Sequence, residues 1–415
     1  MKILLMTSLW GRHGGKEQYL QTCVDEFTRL GHECCLAYGR LSPQPEPTRS
    51  PSIRQYAISA YSEIASTEEA LGVEQLTRIL RDEKPDVIFM CDVKNLRLLT
   101  LLKSFGALVT MSHDNWLTCM RGTTTTYFRR SICTNTFGYR CLLHGCFFRK
   151  HPVNREIIYN PFFRHRAMLE LYKTIDIHLV ASNYMKRRLV QHGFSTHHIK
   201  VISFFTELQP TENITAIAPV PTVTFVGRID RYKGVDFLMR ALAKVNAPLR
   251  CCVIGDGDYL PYCKDLSQKL GIADRVDFVG WLSRDKVTGH LANSYLIVVP
   301  SIWPEPFGLV GLEAMTCSKP VVAFDTGGIS DWLQDGVNGY LVPVKNTDLL
   351  AQRIDALLRD QKQADKMGAE GSRIVKASFG KEQHFRNLLS TFEFAADRRR
   401  LEAVNATAVP AINTA

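Results

Sequence analysis

The 415-residue sequence has no uninterrupted apolar run of the ~18 residues that a membrane-spanning helix requires. It also has no recognisable signal peptide, because the short apolar run at residues 1–6 leads directly into a loop that contains glycine. We therefore expect a cytoplasmic protein. In that compartment its 12 cysteines would be mostly reduced thiols.

Motifs that mark other classes of protein are missing as well. The sequence has no helix-turn-helix, zinc finger or aromatic RNA-binding motif, so nucleic acid is not an expected partner. No glycine loop has the G-x4-G-K-[ST] spacing of a P-loop, which argues against a nucleoside triphosphatase. The net charge of +10 instead favours phosphorylated substrates or an anionic membrane surface, with basic clusters at 186–188 and 398–400 as candidate lipid contacts.

The apolar pattern predicts an α/β protein with two Rossmann-like, doubly wound domains that face a cleft. Strand-like apolar runs alternate with helical patterns in both halves, and a proline-bearing stretch at 206–221 separates the halves. We predict a first domain at 1–205, a linker at 206–221 and a second domain at 222–378. A terminal helix at 379–400 would cross back to the first domain, followed by a disordered tail at 401–415.

Residues 116–161 interrupt this alternation and predict an insertion that covers the cleft. The insertion contains four cysteines separated by 13, 7 and 4 residues, with no C-x2-C pair: Cys119, Cys133, Cys141 and Cys146. A structural zinc site and a set of free thiols are both open alternatives for them.

The segment at residues 300–315 carries the main candidate site. An apolar strand precedes it, and prolines around Glu305 force a loop at the carboxyl end of that strand, where α/β sheets bind ligands. A helix predicted to start near Phe307 would point its N–H groups at a phosphate and place Glu313 about two turns along. Alone, such a pair could also be a helix cap and a surface carboxylate. However, P-E-P-F-G-L-V-G-L-E-A-M resembles the E-x7-E signature of retaining family 4 glycosyltransferases of the GT-B fold.

Other segments resemble the same family. V-G-R-I-D-R-Y-K-G-V-D at 226–236 matches its second hallmark and places Arg228 and Lys233 where they could converge on a diphosphate. G-G-K-E contains Gly14 and Gly15, and H-D contains His113, whose imidazole Asp114 could orient. The resemblance implies that His113 contributes to the pocket for the donor sugar.

The resemblance implies a retaining, metal-independent hexosyltransferase that uses a nucleotide-diphosphate sugar and no further cofactor. Its acceptor would be a glycan or a lipid-linked saccharide in cell-surface polysaccharide or lipopolysaccharide biosynthesis. The implied catalytic residues are Glu305, His113, Arg228 and Lys233. The implied donor-binding residues are Gly14, Gly15, Arg228, Lys233, Gly255, Asp256, Val279, Glu305, Phe307, Gly308, Leu309 and Glu313.

Three alternatives remain open. A nucleotide-sugar epimerase and a phosphorylase share this architecture, and an epimerase would consume donor without an acceptor. A non-catalytic protein that binds nucleotide sugars is the third, although a pure binder need not keep all of Arg228, Lys233, Glu305 and Glu313.

Overall fold

The computed structural model describes residues 1–11, 15–41, 53–59, 61, 69–126, 130–150, 157–159, 161–208 and 220–407. Within these ranges the chain forms two parallel sheets flanked by helices, so the predicted α/β class with two Rossmann-like domains is confirmed. None of the helices in the described ranges is both long enough and apolar enough to cross a membrane.

The strands of the first half are β1 (Lys2–Trp10), β2 (Glu33–Leu41), β3 (Arg54–Ala57), β4 (Val87–Met90), β5 (Ala107–Ser112), β6 (Phe148–Lys150), β7 (Ile157–Tyr159), β8 (Ile177–Val180) and β9 (Ile199–Val201). Seven of them form one parallel sheet in the order β3-β2-β1-β4-β5-β8-β9. The inner strands β4, β5 and β8 are buried along their whole length, which explains their continuous apolar sequences. Strands β6 and β7 form a separate antiparallel hairpin.

The helices of the first half are α1 (Gly15–Arg29), α2 (Glu69–Glu83), α3 (Leu96–Leu102), α4 (Arg140–Leu143), α5 (Phe162–Tyr172) and α6 (Asn183–Gln191). Local capping sets where several of them begin. The Asn95 side chain accepts hydrogen bonds from two amides of α3, and the Ser182 hydroxyl accepts one from Met185 in α6. These caps hold the loops on one side of the sheet.

The second half repeats this architecture with β10 (Thr222–Val226), β11 (Arg250–Ile254), β12 (Val276–Gly280), β13 (Leu296–Val299), β14 (Val321–Phe324) and β15 (Gly339–Val342). These six parallel strands have the order β12-β11-β10-β13-β14-β15. The helices are α7 (Val235–Leu242), α8 (Leu260–Lys269), α9 (Arg284–Asn293), α10 (Leu309–Thr316), α11 (Thr347–Arg359), α12 (Gln361–Ser378) and α13 (Lys381–Thr407).

Helix α13 returns to the first domain and packs against β4 and β5. Its Phe392 ring lies 5.6 Å from that of Phe27 and 5.1 Å from that of Phe89. The helix continues to Thr407, so the predicted disorder from residue 401 is wrong for 401–407, and residues 408–415 lie outside the described ranges. Most of the predicted linker, 209–219, also lies outside them.

Candidate active site

The carboxyl ends of the two sheets face a cavity of about 680 Å3. The first domain contributes the residues that follow β1, β4 and β5, and the second domain those that follow β10 and β13. Among the predicted site residues, the cavity wall contains Gly15, His113, Lys233, Glu305, Phe307, Gly308, Leu309 and Glu313. Gly14 lies outside the described ranges.

Lys233 and Glu305 meet at the centre of the second domain's side of the cavity. The Lys233 Nζ lies 2.7 Å from Glu305 Oε1, and the Glu305 side chain is buried. The same Nζ lies 5.3 Å from the centre of the Trp303 ring. The ammonium group is thus held in the cavity wall by a charge-assisted hydrogen bond and by the face of an indole.

Two glycines make this meeting possible, because no side chain fits at either position. Gly234 has φ +74°, and a Cβ there would lie 1.8 Å from the Pro300 carbonyl oxygen, so the loop that carries Lys233 can touch the loop that carries Glu305. Gly327 has φ +64°, and its Cβ would lie 2.2 Å from the Glu305 carbonyl oxygen. The next amide, that of Gly328, donates a hydrogen bond to that oxygen.

Glu313 lies on α10 with Arg284, the first residue of α9, as its basic neighbour. Arg284 Nη2 is 3.9 Å from Glu313 Oε1, and both residues line the cavity. Loss of hydration raises the pKa of the Glu313 carboxyl, and the charge on Arg284 opposes that rise. Sequence reasoning did not identify Arg284, because no local pattern connects the start of α9 with α10.

Helix α10 begins at Leu309 rather than near Phe307. Gly308 precedes it with φ +88°, in the left-handed region, and the Phe307 ring is fully buried. The Trp332 indole donates a hydrogen bond to the Phe307 carbonyl at 2.6 Å, which orients the peptide before the helix. Leu309 and Val310, the first two residues of α10, line the cavity, and the phosphate site predicted at this helix start stays a prediction.

His113 lies at the end of β5 in contact with aromatic rings. Its ring stacks on Phe204 at 5.3 Å and meets the edge of Tyr19 at 5.2 Å. Burial, with a smaller contribution from the nearby Lys16, lowers the pKa of the imidazole to about 3. Its Nε2 has no hydrogen-bond partner in the described part of the chain, and Asp114 instead accepts from the Trp116 amide at 2.9 Å.

Lys16 and Asp92 form a second ion pair in the cavity wall, which sequence reasoning did not identify. Lys16 Nζ lies 2.6 Å from Asp92 Oδ2, and the Ser8 amide donates to Asp92 Oδ1 at 2.8 Å. Burial alone would raise the pKa of Asp92, but Lys16 and Ser8 outweigh burial and lower it. A signal was present, since Lys16 follows the glycine pair and Asp92 comes just after β4.

Four predicted residues do not line the cavity. Arg228 is largely exposed and its Nε bonds to Asp230 Oδ2 at 3.0 Å, so it does not converge with Lys233 here. Asp256 bonds to the amide of Gly257, Val279 is partly exposed on β12, and Gly255 packs tightly against Gly227. Their roles in donor binding stay predictions.

The segment that begins at Asn115 and continues through the insertion reaches across to the second domain. The Asn115 side chain donates to the carbonyl of Pro304 at 3.0 Å, next to Glu305. The guanidinium of Arg130 donates two hydrogen bonds to the Asp236 carboxylate, at 3.0 and 3.3 Å. Both side chains of that pair are buried, which makes it the best shielded contact between the insertion and α7.

The four cysteines of the insertion are free thiols. A hydrogen bond from Cys146 lowers the pKa of Cys141. Within the described ranges, no group of three or more His, Cys, Asp or Glu side chains is arranged to hold a metal ion.

Family models match both domains of the chain. The description Glycosyltransferase Family 4 matches residues 13–208, and Glycosyl transferases group 1 matches residues 212–373. The chain belongs to the glycosyltransferases of group 1 and family 4 type, and its fold is GT-B.

Individual relatives and structures agree with this assignment. A D-inositol 3-phosphate glycosyltransferase of Mycobacterium marinum is 37% identical over 206 residues, which cover 46% of this chain and 42% of that protein. The chain spans only 36–50% of the length of the curated relatives that it matches.

Solved structures match over a greater length. Sucrose-phosphate synthase from Thermosynechococcus elongatus superposes with a TM-score of 0.72 at 20% identity, over 97% of this chain and 100% of that one. Anabaena HepE, solved with UDP-glucose, superposes with a TM-score of 0.69 at 20% identity, over 94% and 99% of the two chains.

Proposed function

We propose that the protein is a retaining hexosyltransferase that moves a sugar from a nucleoside diphosphate to a glycan or a lipid-linked saccharide. The observation that carries this proposal is the Lys233–Glu305 pair, which shares one cavity with Glu313, His113 and the start of α10. The pathway that we propose is the synthesis of cell-surface polysaccharide or lipopolysaccharide.

The positive groups of the second domain could stabilise the negative charge of the leaving group. Cleavage of the bond at the anomeric carbon leaves negative charge on the β-phosphate and positive charge on the sugar ring. Lys233 and the first amides of α10 would stabilise the phosphate charge, and removal of one such donor typically costs a factor of ~100 or more in rate. In this proposal they take the role that a divalent cation has elsewhere, and no cofactor beyond the donor is included.

The acidic groups suit the sugars of the donor. Glu305 is buried beside Lys233, where its carboxylate could hold hydroxyls of the transferred sugar and stabilise the ring cation. Glu313 lies on α10 opposite Arg284 and could accept hydrogen bonds from ribose hydroxyls. The two carboxylates are thus spread along the donor, and we assign neither as a covalent nucleophile. The leaving phosphate would take the proton from the acceptor hydroxyl.

His113 would act as a neutral hydrogen-bonding group. With its pKa lowered to about 3, the imidazole carries no charge near neutral pH. Its unpaired Nε2 is available to a sugar hydroxyl that enters the cavity from the side of the first domain.

Nucleotide sugars are the partners best supported by the comparisons. HepE was solved with UDP-glucose, and the Mycobacterium marinum relative is named D-inositol 3-phosphate glycosyltransferase. We extend only the class of donor to this chain. We also propose that the protein acts in the cytoplasm, on the inner face of the plasma membrane.

A thermal-shift screen with uridine, guanosine and adenosine diphosphate sugars tests the donor site. One nucleotide class should stabilise the native protein, and Lys233→Ala and Glu313→Ala should each abolish the shift. Equal stabilisation of the wild type and both variants would place the donor elsewhere.

Assays of the reaction then distinguish a transferase from an epimerase. Donor incubated alone should stay unchanged, whereas an epimerase would convert it. With an acceptor, proton NMR should show that the new bond has the anomeric configuration of the donor. Transfer should persist in a chelator if the reaction is independent of metal.

A further inference from the structure

Large apolar side chains are exposed along one stretch of the sequence in and beside the insertion. Tyr139 and Phe163 both lie against the Phe162 ring, at 5.6 and 5.5 Å, and the Phe148 ring lies 6.2 Å from that of Tyr159. Five of the 16 large apolar residues that are exposed in the described ranges lie between positions 139 and 163. We call them the apolar patch: Tyr139, Leu143, Phe148, Tyr159 and Phe163. Leu143 is 86% exposed and Phe163 is 74% exposed. Concentrated apolar exposure of this kind marks an interaction surface rather than scattered surface residues.

The same segment is strongly basic. Residues 116–161 contain seven lysines and arginines and a single acidic residue, a net charge of +6 in a chain whose net charge is +10. Two exposed arginines flank the patch. Arg140 lies three residues before Leu143, and Arg166 lies three residues after Phe163 on α5. Neither one pairs with a carboxylate among the residues that the structure describes. The apolar patch is therefore flanked by two arginines that no carboxylate of the described ranges pairs with.

Aromatic contacts connect the apolar patch with the main cavity. Trp116 lines that cavity and meets His165, which lies 4.8 Å from Phe137. Phe137 stacks on Phe162 at 4.9 Å, and the Phe162 ring lies 5.5 Å from that of Phe163 in the patch. A groove of about 320 Å3 opens along this row of rings. This row of contacts thus leads from the cavity wall at Trp116 to Phe163 in the apolar patch.

The basic clusters that the sequence suggested as lipid contacts are engaged elsewhere. Arg188 is buried and donates to the carbonyls of Thr134 and Asn135. On α13, Arg400 pairs with Asp86 at 2.7 Å and Arg398 pairs with Glu402 at 3.0 Å. These three side chains already have partners within the fold, so they are weaker candidates than the insertion.

We propose that the apolar patch and its basic flank dock this protein on a bilayer that contains anionic phospholipid. Aromatic and aliphatic side chains would enter the interface between headgroups and acyl chains, while Arg140 and Arg166 would contact the phosphates. A lipid-linked acceptor held in that bilayer could then reach the cavity beside Trp116. The proposal rests on the proposed function for its purpose, but the docking itself is measured without any sugar.

Vesicle flotation of the full chain tests the docking surface. Vesicles of phosphatidylcholine with phosphatidylglycerol should bind the protein, vesicles of phosphatidylcholine alone should bind it weakly, and 0.5 M salt should release most of it. Arg140→Gln with Arg166→Gln should weaken binding about 30-fold, since each charge near such a surface is worth about a factor of five. Leu143→Ser with Phe163→Ser should weaken binding by at least about 10-fold.

Matched controls come from α13. Leu401 is 65% exposed, and Arg398 lies three residues before it, so Leu401→Ser with Arg398→Gln makes the same chemical change elsewhere. This control should bind as the wild type does. The thermal shift with nucleotide sugar should be the same for every variant, which shows that each is folded.

The proposal is overturned if the wild type does not bind anionic vesicles, or if the patch variants bind as well as the wild type does. Loss of binding in the α13 control alone would move the lipid contact to that helix. Failure of all nucleotide sugars to bind, with vesicle binding intact, would reject the proposed function and leave the docking surface standing.

Discussion

Lys233 is the residue whose position has the greatest chemical consequence. Its ammonium group touches the buried Glu305 and faces the cavity next to the first turn of α10. Arg228, which the sequence pattern ranked with it, turns to Asp230 and is largely exposed. We therefore expect Lys233 to contribute more to stabilisation of the leaving phosphate than Arg228 does.

Lys233→Met should lower kcat about 100-fold or more, because it removes a positive charge at the leaving group and keeps the length of the side chain. Lys244→Met is the matched control, since Lys244 pairs with Asp348 on the surface of the same domain. Steady-state kinetics with the donor that the thermal-shift screen identifies make the measurement. Equal losses in both variants would show a general effect on the domain instead.

Glu83 gives a prediction about pH and stability. It accepts hydrogen bonds from Lys2 at 2.8 Å, from Arg54 at 2.7 Å and from Tyr56. Burial alone would raise its pKa, but these partners outweigh burial and lower it to about 2. The ionised group thus stabilises the fold above its ordinary value of 4.5, and that contribution disappears as the pH falls from 4.5 towards 2.

Glu83→Gln should therefore lower the free energy of unfolding by about 3 kcal/mol at pH 7, since each pKa unit corresponds to about 1.4 kcal/mol. The difference from the wild type should shrink below pH 4.5. Urea titrations of both proteins at pH 7, 5 and 4 measure it. A difference that stays constant over this range would contradict the lowered pKa.

The insertion is the element that joins the two domains over the site. Asn115 bonds beside Glu305, Arg121 bonds to Tyr232 beside Lys233, and Arg130 pairs with Asp236 at the start of α7. Each of these contacts thus holds a residue that lies within three positions of Glu305 or Lys233 in the sequence. This segment thus contacts the loops that carry Lys233 and Glu305, and we expect it to hold them in place.

Arg130→Met should raise the donor KM several-fold, because loss of its two hydrogen bonds to Asp236 loosens the loop and helix start that follow Lys233. Its effect on kcat should be much smaller, since Arg130 touches neither donor nor acceptor. Arg130→Met with Asp236→Leu should recover most of the loss, because no charge then stays buried. A double variant as impaired as the two single changes combined would show that the two residues act independently.

Helix α13 connects the second domain to the first. It begins after the second domain and packs along the first sheet, so unfolding of the first domain must also release it. Phe392 is fully buried between Phe27 and Phe89, whereas Phe394 on the same helix is 53% exposed.

Phe392→Ala should lower the free energy of unfolding by about 3–5 kcal/mol through the cavity that it leaves. Phe394→Ala should change it by less than about 1 kcal/mol. Urea unfolding of the full chain, followed by circular dichroism, compares them. Similar losses in both variants would mean that the packing of α13 on the first domain contributes little.

The fold was largely predictable because its signals are local. Buried parallel strands such as β13 are continuous apolar runs, so the alternation of strands and helices could be recognised in both halves. The strand β3 and the hairpin of β6 and β7 were not identified, because strands of three or four residues are too short for an apolar pattern to reveal. The start of α10 was misplaced since the left-handed conformation of Gly308 is set by its surroundings.

By itself, the sequence determined the family, the two sheets and the loops that carry Lys233, His113, Glu305 and Glu313. It could do so because apolar periodicity and short motifs are properties of neighbouring residues. Only the tertiary structure decided which charges meet. Three ion pairs join residues that lie far apart in the sequence. Lys233 and Glu305 are 72 positions apart, Lys16 and Asp92 are 76 apart, and Arg130 and Asp236 are 106 apart. Such pairings depend on how strands are ordered and how the domains close, and no local pattern encodes either.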